Sequence, residues 1–259
     1  MSPVPAPHPS PAANRLRQLL HGISRATSPH VALLVILAVG LLPALALTLV
    51  SAEVYESVTD ADGIAGLDRP VLETALGLRT PALDSAVTGF TNLAGTIGMP
   101  VIAGLVVLVM GLRWRSWTPL ILTAAAAAGS LLMTVTGKAL IGRTRPDLAD
   151  AVPPYESSAS FPSGHTLNSI VIAGILAYLV ILHVHNRWAK ASALLAAAVF
   201  TFAVGLSRVY LGHHWLTDVL VAWTLGAAWL AVVITAHQLL RRLPEHRAAV
   251  QGSPPRRRP

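Results

Sequence analysis

The sequence predicts an all-α polytopic membrane protein, a bundle of six transmembrane helices. Three observations predict it. Hydrophobic residues make up 53% of the 259-residue chain and charged residues only 12%, far too apolar a balance for a soluble domain of this length. The apolar residues gather into runs close to the roughly 20 residues that a helix needs to cross a bilayer. The Lys and Arg residues alternate between the intervening segments in the way that a fixed orientation requires.

The first run, 31–50, is long, lacks a clear small-residue cleavage site and follows a polar tail. It reads as a retained span and not as a signal peptide. The other runs are 93–112, 119–137, 166–182, 191–206 and 215–237, the fifth being short and alanine-rich. Between the first two lies a segment that begins rich in acids. Within it Asp68-Arg69-Pro70 and Thr80-Pro81 read as helix starts, with proline at the first helical position. Leu83, Val87 and Phe90 then share one apolar face. Short helices lying on or dipping into the interface are expected there. The small residues of 124–129 let neighbouring backbones approach closely, which predicts a central place for the third span. Residues 31–237 thus form one membrane domain. Residues 1–30, with Pro3, Pro5, Pro7 and Pro9, and residues 238–259, ending in Arg256-Arg257-Arg258, are expected to be cytoplasmic tails, the extreme ends being low in complexity and disordered.

With the N-terminus inside, 13 of the 19 Lys and Arg residues fall on the cytoplasmic side with a single acid, Glu245, and the other eleven acids fall outside. The split predicts a cell-membrane protein with both termini cytoplasmic. It also explains the net charge of +7 without nucleic acid as a partner. Cysteine is absent, which excludes disulfides, thiolate metal sites and a thiol nucleophile.

Against this apolar background, three polar pieces stand at span ends on the predicted outer side: Lys138 with Arg145-Pro146, then Pro162-Ser163-Gly164-His165, then Ser207-Arg208 with His214 and Asp218. Lys138 and Arg145 lie two turns apart, ~10 Å along a helix continuing past Gly137, and Pro146 would end it. Alone, such cations can simply snorkel to headgroups. Ser163-Gly164-His165 opens the fourth span, where unpaired N–H groups and the helix dipole favour an anion. Ser163 could merely cap the helix, but His165 gives a cap no advantage. His214 and Asp218, at i and i+4, face each other on a helix. The carboxylate can fix the imidazole tautomer and leave Nε2 nucleophilic. Such a pair can also bind metal, but no Glu or Cys joins it in the motif. His213, about 100° away around a helix, reads as a spare polar residue.

The three pieces together resemble the signature of the type 2 phosphatidic acid phosphatase family, which is related to the vanadium haloperoxidases. The likeness covers residues 138–218 and extends to the six-span layout, with His213 standing where a small or apolar residue is usual. It implies a membrane-bound, metal-independent lipid phosphatase with no cofactor and its active site at the outer face. Lys138, Arg145, Arg208, Ser163 and Gly164 would cradle the phosphoryl oxygens. His214, oriented by Asp218, would form a phosphohistidine, and His165 would serve as acid and then base. The implied partners are the bilayer and a lipid phosphate such as phosphatidic acid, phosphatidylglycerol phosphate or undecaprenyl diphosphate. A phosphotransferase using the same site, or a non-catalytic anionic-lipid transporter or scaffold, are the alternatives. The polarised His214–Asp218 pair argues against the last.

Overall fold

In a computed structural model, residues 29–60 and 62–250 are described. The low-complexity ends, 1–14 and 251–259, lie outside them. Every regular element among the described residues is helical. In chain order these are α1 (Pro29–Asp60), α2 (Asp68–Gly77), α3 (Pro81–Thr91), α4 (Gly98–Trp114), α5 (Thr118–Ile141), α6 (Gly164–His183), α7 (Arg187–Tyr210) and α8 (Leu216–Val250). Short 3-10 turns lie at Gly63–Leu67, Asn92–Ala94 and Leu148–Asp150. The chain divides into a large unit, Gly40–His237, and a smaller one holding the described ends of α1 and α8. The site lies wholly within the large unit.

Among the described residues five helices are long and apolar enough to cross a membrane, and Pro81–Ala94 with Gly98–Trp114, bent by 51° at the break between them, makes a sixth if the pair is one span. The run 93–112, expected as the second span, falls across this break, and its long helix, α4, starts only at Gly98. The cause of the bend lies in Gly95 and Gly98: a side chain on Gly98 would run into the Asn92 carbonyl and Leu93, so only glycine lets the chain double back so closely. Of the two loop prolines, Pro81 opens α3 as expected, whereas Pro70 stands third in α2, which already starts at Asp68. Thr80 caps α3 by accepting from the Leu83 N–H at 3.3 Å, with Pro81 in its first turn.

The first span runs ten residues past its predicted end. Tertiary packing holds this extension: Val54 is buried with Phe161 and Val221, and Ser51 pairs with Thr224 at 2.7 Å. The expected central place of 119–137 is also corrected. Half of the apolar window of α6 is buried, against about a fifth of that of α5, and α6 packs between α5 and α7. The small residues of α5 have a different use. Trp229 of α8 lies over Gly129 and donates its indole N–H to the Ala126 carbonyl at 3.0 Å.

Core packing joins Leu167, Val171, Ile175 and Leu179 of α6 to Leu122, Ala126, Ala222 and Val233. Burial of such side chains is worth roughly 1.5–3 kcal/mol each in water. Between the apolar tails of a bilayer that drive is absent, and close packing carries the association instead. At one end of α6 the packing gives way to polar groups.

Candidate active site

Three chain segments meet at the N-terminal end of α6. The first follows α5. Gly142 takes the left-handed conformation (φ 60°) and ends the helix there, four residues before Pro146. Lys138 therefore sits in the last helical turn, whereas Arg145 lies in the loop beyond it and not on the same helix face. The two cations still converge, because both donate to the Ala159 carbonyl. Arg145 is further fixed by the carbonyls of Ser158 (2.7 Å) and His213 (2.5 Å).

The second segment leads into α6. Ser163 occupies the cap position without making a side-chain cap bond. Its hydroxyl instead meets Thr166 Oγ1 at 2.9 Å and is fully buried. Gly164 opens the helix against Thr134. His165 follows, with Nδ1 4.0 Å from Glu156.

The third segment is the turn between α7 and α8. Gly212 (φ 68°) reverses the chain with its Cα against the Asp150 carbonyl. His214 thus precedes α8, which starts at Leu216, and the expectation of one helix carrying both His214 and Asp218 is corrected. The pairing itself is present: Nδ1 of His214 is 3.3 Å from Asp218 Oδ2. Asp218 also accepts from the Trp215 N–H (3.0 Å) and the Ser160 hydroxyl (2.5 Å), which locks the turn. The Arg145 guanidinium donates to Nε2 of His214 at 3.2 Å. That bond needs a lone pair on Nε2, so the proton sits on Nδ1, facing Asp218.

All eight residues singled out in the sequence are therefore gathered at one end of the large unit. Burial, and then the Arg145 and Arg208 cations, push the His214 imidazole well below its ordinary pKa, so it stays neutral. Among the described residues no three His, Cys, Asp or Glu side chains are placed to share a metal ion.

Comparison with known proteins decides the family. The model of the PAP2 superfamily matches residues 100–242, more than half of the chain and all three motif pieces. The chain belongs to the PAP2 superfamily. It is 34% identical over 169 residues to phosphatidylglycerophosphatase B of Bacillus subtilis (strain 168), a match covering 64% of this chain and 80% of that protein. The fold is similar to the crystal structure of the transmembrane PAP2-type phosphatidylglycerolphosphate phosphatase from Bacillus subtilis, at a TM-score of 0.70 and 28% identity over 77% of this chain and 98% of that one. It also resembles Aquifex aeolicus LpxE in fold, with a TM-score of 0.51 and 23% identity over 65% and 94% of the two chains.

Four residues of this PAP2 site escaped the sequence reading, and a fifth was misjudged. Arg143 bridges Asp218 Oδ1 (2.6 Å) and Asp68 Oδ2 (2.7 Å). Asp68, from the start of α2, also accepts from the N–H and hydroxyl of Thr217 at 2.8 and 2.7 Å. Ser160 completes the surroundings of Asp218. Glu156, in the loop before α6, binds Arg145 at 2.7 Å and Arg208. Burial alone would raise its carboxyl, but Arg208 and Arg145 outweigh burial and hold it at about 2. His213 is not a spare residue: it is buried, and its Nε2 bonds the Val152 carbonyl at 2.7 Å. The unusual number of charges at span ends and in the connecting loops of so apolar a chain was the one available signal. It did not say which charges would meet.

Proposed function

We propose that this protein is an integral-membrane lipid phosphatase that hydrolyses a phosphomonoester or diphosphate of a lipid at the extracytoplasmic face, without a metal, through a phosphohistidine. One observation carries this reading. Two arginines already converge on a single anionic group beside a buried, neutral histidine whose tautomer leaves Nε2 basic. The activities named for the Bacillus subtilis relatives support it. The excess of Lys and Arg at the opposite loops supports the extracytoplasmic placement.

In this mechanism Arg145, Arg208 and Lys138, with the Ser163 hydroxyl and the Gly164 N–H, hold the three phosphoryl oxygens. They stabilise the charge of the trigonal-bipyramidal state. Nε2 of His214 forms a bond to phosphorus as the bond to the leaving oxygen breaks, and His165 gives that oxygen a proton. Asp218 stabilises the Nδ1–H throughout. Water then attacks the phosphohistidine, His165 takes its proton, and inorganic phosphate and free His214 result. The cations supply the electrostatic role that a metal would otherwise play.

An apolar cavity of about 480 Å³ supports a lipid tail as part of the substrate. It is lined by Met99, Ala103, Val107, Ala127 and Ile172 and starts at Gly95, which backs onto His165. A second cavity of about 650 Å³ shares Gly104, Val107 and Leu120 with it and continues to Trp117. A chain anchored at the cations thus has an apolar path beside α4.

The test is purified protein in detergent against a panel of lipid monophosphates and diphosphates. His214→Ala is expected to abolish phosphate release while the protein stays folded. Vanadate should inhibit and EDTA should not. Normal turnover by His214→Ala sinks the mechanism, and strong EDTA inhibition sinks metal independence.

A further inference from the structure

The phosphate cradle is not empty of charge: an internal carboxylate sits in it. Glu156 Oε2 is 2.7 Å from a terminal nitrogen of Arg145, and Oε1 contacts Arg208. The same Oε1 lies 4.0 Å from Nδ1 of His165 and 3.9 Å from Nδ1 of His213. Glu156 thus stands at the centre of the groups meant for a phosphoryl ion. We propose that Glu156 is a resident counter-ion that substrate must displace, and that it selects dianionic phosphate over the monoanionic phosphodiesters of the surrounding bilayer. This rests on the phosphatase reading above.

Arg208 is only 2% exposed. Without an anion beside it, the empty site would hold a buried, uncompensated cation, which is strongly unfavourable. Glu156 removes that penalty, but it fits the cradle incompletely. A planar carboxylate offers two oxygens where a phosphoryl group offers three. Arg208 Nε and His213 Nδ1 are both buried with no hydrogen-bond partner, and the distances from Oε1 to the two histidines exceed a hydrogen bond. A tetrahedral dianion can engage groups that Glu156 leaves unpaired, and it carries twice the charge. Ordinary phospholipids are phosphodiesters with one charge, no better than the carboxylate already in place. The terminal phosphate of a monoester or diphosphate approaches two charges near neutral pH. The same exchange run backwards lets the carboxylate return as inorganic phosphate leaves, which opposes product retention. Glu156 lies in a loop with one-quarter of its side chain exposed, a place from which a side chain can swing without unpacking a helix.

The experiment compares wild type with Glu156→Gln, which keeps the shape and removes the charge. A shortened carboxylate, Glu156→Asp, serves as the second variant. Inhibition constants for inorganic phosphate and vanadate are measured in detergent, together with inhibition by phosphatidylglycerol in mixed micelles. Glu156→Gln should bind phosphate and vanadate at least tenfold more tightly and become sensitive to phosphatidylglycerol at mole fractions that leave wild type unaffected. Glu156→Asp should shift in the same direction by less. Unchanged affinity, or a gain for phosphate without one for phosphatidylglycerol, overturns the proposal. Weaker binding overturns it too, by making Glu156 a residue that positions the arginines. Failure of both variants to fold would make it a structural tie instead. Wild-type turnover of lipid phosphates is read in the same assay. Its absence would refute the phosphatase reading, whereas turnover with unaltered Glu156→Gln inhibition refutes only the counter-ion.

Discussion

Removing Arg143 should destabilise the protein and silence the site together, because one guanidinium ties Asp218 to Asp68. Its guanidinium donates to Asp218 Oδ1 at 2.6 Å, to Asp68 Oδ2 at 2.7 Å and to Thr217 Oγ1 at 2.8 Å. Asp218 is fully buried, the Asp68 side chain is 7% exposed, and Arg143 itself is 17% exposed. Arg143→Ala leaves two buried carboxylates without their shared cation, and breaking a buried ion pair from one side costs about 3–5 kcal/mol. At roughly 2–4 °C per kcal/mol for a domain of this size, the melting temperature should fall by roughly 6–20 °C. Turnover should fall too, since Asp218 then loses the partner that fixes its second oxygen and holds His214 less firmly. The assay pairs thermal unfolding in detergent with kcat on a lipid phosphate, for Arg143→Ala, Asp68→Asn and the double variant. The double variant should be better than additive by roughly 0.5–3 kcal/mol, because neutralising Asp68 removes one of the two orphaned charges. A melting shift below about 3 °C with kcat within twofold of wild type, or strict additivity, would refute the role given to this network.

Two further outcomes follow from the same geometry. Gly212→Ala forces a side chain onto a left-handed backbone (φ 68°) facing the Asp150 carbonyl; the conformation alone costs about 1–2 kcal/mol. The variant should melt lower and bind vanadate more weakly, because the turn it distorts carries His213 and His214, and a vanadate affinity equal to wild type would count against that. Burial, with the neighbouring arginines, lowers the pKa of both His213 and His214, so the unfolded chain binds protons that the folded one refuses. Stability should therefore fall as the pH drops below about 6.5, by up to ~1.4 kcal/mol per pH unit for each imidazole. Melting curves from pH 7.5 to 5.5 test the sign, and a flat or rising trend would contradict neutral burial.

The helices were legible because a bilayer leaves the backbone so few choices. Every apolar run became a helix, and Thr80-Pro81 opened α3, whereas the stop at Gly142, four residues before the Pro146 expected to end that helix, was not among the signals read. Where the reading failed, the deciding contacts were distant in sequence. Nothing around 124–129 says that its small residues receive the Trp229 ring of α8 and not a central helix axis. Hydropathy extends smoothly through Gly95 and Gly98, and only the close approach to Asn92 shows that the span is bent there.

The site divides along the same line. Lys138, Arg145, His165, Arg208, His214 and Asp218 were visible because each is anomalous for its place, a charge or imidazole at the end of an apolar run. Glu156 and Asp68 lie in polar connectors, where an acid is the commonest solvated residue, so residue type alone gives them no weight. What distinguishes them is the cation each meets: Glu156 lies against Arg145 and Arg208, and Asp68 against Arg143. These two acids and Asp218 leave each buried guanidinium facing a carboxylate. That balance explains how a chain this apolar holds three arginines at one end of its helices before any substrate arrives. It also sets the condition for substrate: an incoming phosphate gains little from bare charge, and must out-compete a carboxylate already seated among the cations.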